Sequence, residues 1–135
     1  MNDSMEPVDM LSTFPVTYRD AVQIVSNGKP LPDFMRLVIS EDFPNLHDGL
    51  DNPLLRDLSG YCKLWLGNLG AGHTTLKALQ DGMFEAARLD AGFMADNIDK
   101  PTWPVLFGHL RGYCEQILPP LDATPAQMAR LDLAG

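Results

Sequence analysis

The chain has 135 residues, 45% of them hydrophobic and 21% charged, and no apolar run approaches the roughly 20 residues that a membrane-spanning helix needs. This length suits one domain that takes roughly two thirds of its unfolded surface out of water, so a single core is expected. The net charge is -8 with basic residues spread thinly, which argues against nucleic acid or an anionic membrane as partner, and two cysteines are too few for a disulfide framework and suit a cytoplasmic setting.

The opening stretch MNDSMEPVDMLSTFP has no basic region before an apolar core and does not read as a secretory signal. Residues 1–14 are expected to be a flexible segment ahead of a single helical domain over 15–135. Thr17, with Asp20 three residues on, makes a capping box for a helix over YRDAVQIVS. Asn27-Gly28 ends that helix, because both residues tolerate the left-handed conformation. Two prolines in KPLPD force an extended turn. In 34–39, Leu37, Val38 and Ile39 favour a strand, yet a lone strand has no partner, so a short helix is expected. Residues 40–52, SEDFPNLHDGLDN, have the composition of a surface loop.

Asn52-Pro53 starts the next helix, PLLRDLSGYCKLWL, which the glycines of GNLGAG stop. Thr74 opens the longest helical stretch, TLKALQDGMFEAARLDAGFMADNI. VLFGHLRGYCEQIL follows, and after a Pro-Pro stop Thr124-Pro125 opens AQMARLDL. No segment alternates with period two beside a hairpin turn. The expected fold class is therefore all-α, a compact single-domain bundle of five or six helices. The stretch YRDAVQIVSNGKPLPDF resembles the short helix-then-PGI segment of some peroxisomal import proteins. Asp33-Phe34 stand where that family has Gly-Ile, and no function is carried over.

LRDLSGYCKLWL and FGHLRGYCEQIL place Gly-Tyr-Cys in the same register 52 residues apart. Read as helices, they put Leu54, Leu58, Tyr61 and Trp65 on one apolar stripe, and Leu106, Leu110, Tyr113 and Ile117 on another. Cys62 and Cys114 then flank the stripes as packing residues, since a reactive thiol needs a cationic or helix-N-terminal setting. Glycine inside a helix costs about 1 kcal/mol, so Gly60, Gly112 and Gly108 are expected to mark close approach of another backbone. The pair reads as a degenerate helical-hairpin repeat, with chance similarity as the alternative for so short a match.

No catalytic residue, metal site or cofactor is expected. Asp90 falls on the apolar side of the long helix, where a carboxylate needs a partner. The histidines His47, His73 and His109 lack the spacing of metal ligands on one helix face. GNLGAGH lacks the preceding strand and the Lys-Ser/Thr of a phosphate-binding loop. These features predict a small acidic protein-interaction module: an adaptor, assembly factor, inhibitor or regulatory subunit. Leu64, Leu89 and Phe93 are the expected partner surface, the partner being another protein, a basic one suiting the charge, or a second copy in a homodimer. The rival is a small helical enzyme or ligand-binding protein whose interhelical pocket gathers Asp90, His109, His47, Tyr61 and Tyr113. Convergence of Asp90 and a histidine on an enclosed cavity discriminates between them.

Overall fold

The computed structural model describes residues 11–40, 43–71, 77–80 and 83–134, with the backbone alone at 47, 49, 50 and 132–134. Strand β1 (Ser12–Pro15) is followed by α1 (Tyr18–Asn27), β2 (Met35–Ile39), a 3-10 helix (Leu46–Asp51) and α2 (Pro53–Ser59). Then come β3 (Lys63–Leu69), β4 (Phe84–Leu89), α3 (Ala91–Asn97), α4 (Trp103–Arg111), β5 (Gln116–Leu118) and α5 (Pro125–Ala134).

The strands form one parallel sheet in the order β1-β2-β3-β4-β5. The chain is thus α/β, and the expectation of an all-α bundle is corrected. Residues 34–39 hold β2 rather than a helix, and its partners are β1, mostly within the segment expected to be flexible, and β3, within a segment that read as helical. Both Gly-Tyr-Cys segments leave a helix at the glycine and enter a strand, so the apolar stripes through Tyr61 and Tyr113 do not exist. The expected long helix is, in its described part, helical at 77–79 and then β4 followed by α3. Residues 12–14, expected to be flexible, lie in β1. The physical reason is that strands of a parallel sheet are buried on both faces and show no alternation, as in KLWLGNL and FEAARL.

Consecutive parallel strands joined by right-handed crossovers carry all their helices on one face. There Leu37, Ile39, Leu64, Leu66, Ala87 and Leu89 pack with Ala21, Leu55, Leu58, Met94, Trp103, Phe107 and Leu110 of the helices. The opposite face carries Val38, Trp65, Gly67 and Ala86. Trp65 and Ala86 are buried yet stand outside that core, and a Cβ on Gly67 would lie 3.1 Å from Val38 Cγ1.

Local signals position the helices as expected. Thr17 and Asp20 form the capping box of α1, which Gly28 ends at φ 66°. Asn52 caps α2 through the Leu54 and Leu55 amides and donates to the Pro44 and Asn45 carbonyls, which explains its burial.

Candidate functional site

All strands point the same way, so the sheet has two chemically distinct ends. In β/α barrels the C-terminal end of the strands is the usual place for chemistry and the N-terminal end contributes stability. At the C-terminal end β3 shifts register between Leu66 and Leu69, and Asn68 adopts a left-handed φ of 54°. Gly70 follows at φ 95°, and a Cβ there would lie 2.2 Å from the Phe93 ring. The close approach of another backbone expected at Gly60, Gly108 and Gly112 does not occur: a Cβ on Gly108 would meet nothing within 4 Å, and one on Gly60 or Gly112 would meet the carbonyl three residues back in its own chain. Asp90, the first residue after β4, caps α3: Oδ2 accepts from the Phe93 amide at 3.0 Å and Oδ1 from Asn68 Nδ2 at 3.4 Å. It is a half-buried cap, not a carboxylate on the apolar side of a long helix.

The N-terminal end holds a cluster that sequence reasoning missed. Leu64 pairs with Phe84 but Trp65 with Ala86, so Glu85 is the extra residue of a bulge. Its Oε1 accepts from Arg36 Nε at 2.6 Å and from Trp65 Nε1 at 2.8 Å, while Lys63 Nζ lies 3.3 Å from Oε2. Arg36 also donates to the Asp33 and Met35 carbonyls. Burial alone would raise the Glu85 carboxyl, but hydrogen bonds from Trp65 and Arg36, the Arg36 charge and the Lys63 contact outweigh it and hold it below the ordinary carboxylate value. A cavity of about 800 Å³ opens beside the cluster and is also lined by Tyr61, Cys62 and Gln116. The only forewarning in the sequence was a glutamate and an arginine inside apolar runs.

Both thiols sit at this end, where burial raises them above the ordinary value against backbone hydrogen bonds. The Cys62 thiol donates to the Met35 carbonyl and that of Cys114 to the Gln116 carbonyl.

The other expected site residues do not assemble. His109 is exposed on α4 and lines a groove of about 430 Å³ with Gln80, Val105 and Tyr113. Because α4 runs back from the C-terminal to the N-terminal end of the sheet, His109 and Asp90 lie at opposite ends. Tyr61 and Tyr113 occupy the turns into β3 and β5. The His47 side chain, with His73, Thr74 and Thr75, lies outside the described residues. Leu64 and Leu89 are buried in the core and form no surface, and Phe93 is half-buried beneath Gly70. Among the described residues the exposed large apolar ones are instead Phe14, Tyr18, Val22, Phe34, Val105, Tyr113, Leu121 and Met128. Among the described residues no three His, Cys, Asp or Glu side chains gather as a metal site.

A parallel sheet in consecutive order with its helices on one face is the arrangement of strands and helices in a β/α barrel. The crystal structure of EAL-like domain protein YdiV matches it with a TM-score of 0.75 and 26% identity, over 93% of this chain and 57% of that one, so the fold is α/β and EAL-like. The EAL domain of Mycobacterium smegmatis DcpA shares the fold at a TM-score of 0.57 and 16% identity, over 93% of this chain and 62% of that one. The sequence is similar to YdiV of Escherichia coli, 46% identical over 65 residues, which are 48% of this chain and 27% of that protein. It is 31% identical over 101 residues to the anti-FlhC(2)FlhD(4) factor YdiV of Salmonella typhimurium, covering 72% of this chain and 43% of that protein. The chain thus spans less than half the length of these two relatives. No family model matches it.

Proposed function

We propose that this chain is a regulatory protein-binding module that acts on a protein complex of the FlhC(2)FlhD(4) kind. The observation that carries the reading is its 31% identity over 101 residues to the anti-FlhC(2)FlhD(4) factor YdiV of Salmonella typhimurium. The polar groups in the sheet support it: Asp90 serves as a helix cap and Glu85 as a brace between strands, so both are engaged in holding the fold. The net charge of -8 suits a basic face on the partner, whose approach it would steer. A cytoplasmic setting fits two unpaired thiols.

Calorimetric titration of the chain with purified FlhC(2)FlhD(4) complex tests the reading. A saturable complex that weakens as salt rises is expected. Absence of heat and of co-elution at low salt sinks it.

A further inference from the structure

Resting on the reading of the chain as a protein-binding module, we propose that the groove along α4 docks the partner, its occupant being an amphipathic helix of that partner with carboxylates beside its apolar stripe. The groove runs between the helical turn at 77–79 and α4. Gln80 stands on one wall and Val105, Leu106, His109, Leu110 and Tyr113 on the other, around a volume of about 430 Å³. α4 sits within the helix layer, with that turn on one side and α5 on the other. Elements added beyond either edge of the sheet would therefore lie beside α1 or α5, not over the groove.

Its shape suits an apolar helix. Leu110 is buried at the base, whereas Val105 is 64% and Tyr113 37% exposed. Val105, His109 and Tyr113 follow one another at four-residue steps, so the contact strip is about 12 Å long, roughly two helical turns. Gly108 leaves the α4 backbone bare beside it, since a Cβ there would meet nothing within 4 Å. Charge then selects among apolar helices. The chain carries 18 acids against 10 bases, yet no acid falls between Asp57 and Asp81 or between Asp99 and Glu115, the two stretches that supply the walls. Lys77, Lys100 and His109 stand exposed within them. A carboxylate on the occupant thus meets cations and the His109 ring here, and like charge in the acid-bearing stretches around the groove. The overall charge acts on approach and the groove on the docked contact, so a partner with a basic face elsewhere satisfies both.

Calorimetric titration of FlhC(2)FlhD(4) complex with the native chain and with two variants of one exposed position tests this. Val105→Asp and Val105→Lys both remove the apolar contact and differ in the sign of the charge they bring. Val105→Asp should weaken binding about tenfold or more, Val105→Lys less, and Val22→Asp on α1 not at all. All three should keep native circular dichroism, because these positions are exposed. If one unfolds, amide exchange of the native chain decides: the amides of 105–113 should slow when the complex binds. A native chain that does not bind sinks the function proposed above and this inference with it. Binding that neither Val105 variant changes, a loss shared equally by Val22→Asp, or α4 amides that the complex leaves unprotected overturns the groove alone. A Val105→Asp chain that binds as well as Val105→Lys overturns the acidic occupant.

Discussion

Replacing Glu85 tests whether the cluster at the N-terminal end of the sheet braces the fold. Its carboxylate takes hydrogen bonds from Arg36 and Trp65 at 2.6 and 2.8 Å, and the Arg36 and Glu85 side chains are 11% and 17% exposed. Hydrogen bonds to charged groups contribute about 1.5–3 kcal/mol each. The Lys63 contact adds about 0–1 kcal/mol, because that side chain is largely in solvent. Glu85→Gln keeps the shape and one acceptor oxygen but cancels the charge, leaving the Arg36 guanidinium with carbonyl partners alone; the expected loss is about 2 kcal/mol. Glu85→Ala also leaves the Trp65 N–H unpaired and should cost more, about 3 kcal/mol, toward the low end for removing one partner of a buried pair because this one is part-buried. The Glu85 carboxyl is held below its ordinary value of 4.5, so its stabilisation is complete above 4.5 and is lost as pH falls through the folded-state value. Urea unfolding followed by far-UV circular dichroism should therefore show the gap between native and Glu85→Gln chains at neutral pH and its closure in acid. A Gln variant within about 0.5 kcal/mol of the native chain, the usual spread of neutral surface changes, would refute the bracing role. So would a gap that persists unchanged into acid.

Gly70→Ala should destabilise the fold by at least about 1–3 kcal/mol, since it combines a left-handed backbone with a methyl driven into the Phe93 ring; a thermal midpoint within error of the native one would contradict this. Gly108→Ala should do the opposite: a Cβ there meets nothing within 4 Å, so the gain is about 0.5–1 kcal/mol of helix propensity, and a loss of stability would mean that α4 packs against something at this point. Cys62 and Cys114 should label slowly with a thiol reagent at neutral pH and faster only as pH passes above their ordinary value of 9.0, because burial disfavours both thiolates; rapid labelling of the folded chain at neutral pH would overturn that.

What the sequence disclosed was local. The capping box of Thr17 and Asp20, the stop at Gly28 and the Asn52-Pro53 start depend on residues within one turn, and the structure places all three as read. What it concealed depends on pairing between distant segments. In FEAARL, Phe84, Ala86, Ala87 and Leu89 are buried across both faces of the sheet, so apolar residues occur without period two. Asp90 reads as a polar intrusion on a helix stripe because the strand ending at Leu89 is not visible in the sequence, and its partners are the Phe93 amide it caps and Asn68 at the end of β3. Glu85, Arg36 and Trp65 lie on three strands and meet only once the bulge sets the register between β3 and β4. Residue spacing alone could not reveal that meeting.

The paired Gly-Tyr-Cys segments follow from the same topology. In each, the glycine amide donates to the carbonyl three residues back, Asp57 or His109, and the tyrosine amide to Leu58 or Leu110. Both glycines have right-handed backbones, φ -77° and -74°, so left-handed freedom is not the reason for them. A Cβ at either would sit 3.3 Å from that same carbonyl oxygen, a tight contact that glycine avoids. The helix tightens its last turn, tyrosine carries the chain across, and the half-buried cysteine donates to a carbonyl at the mouth of the next strand, Lys63 for Cys62 and Gln116 for Cys114. A parallel sheet built of repeated α-then-β units must solve this joint each time a helix returns to it. The duplication is therefore a recurrence of one packing problem, solved with the same residues before β3 and before β5, and neither a helical-hairpin repeat nor a pair of reactive thiols is needed to explain it.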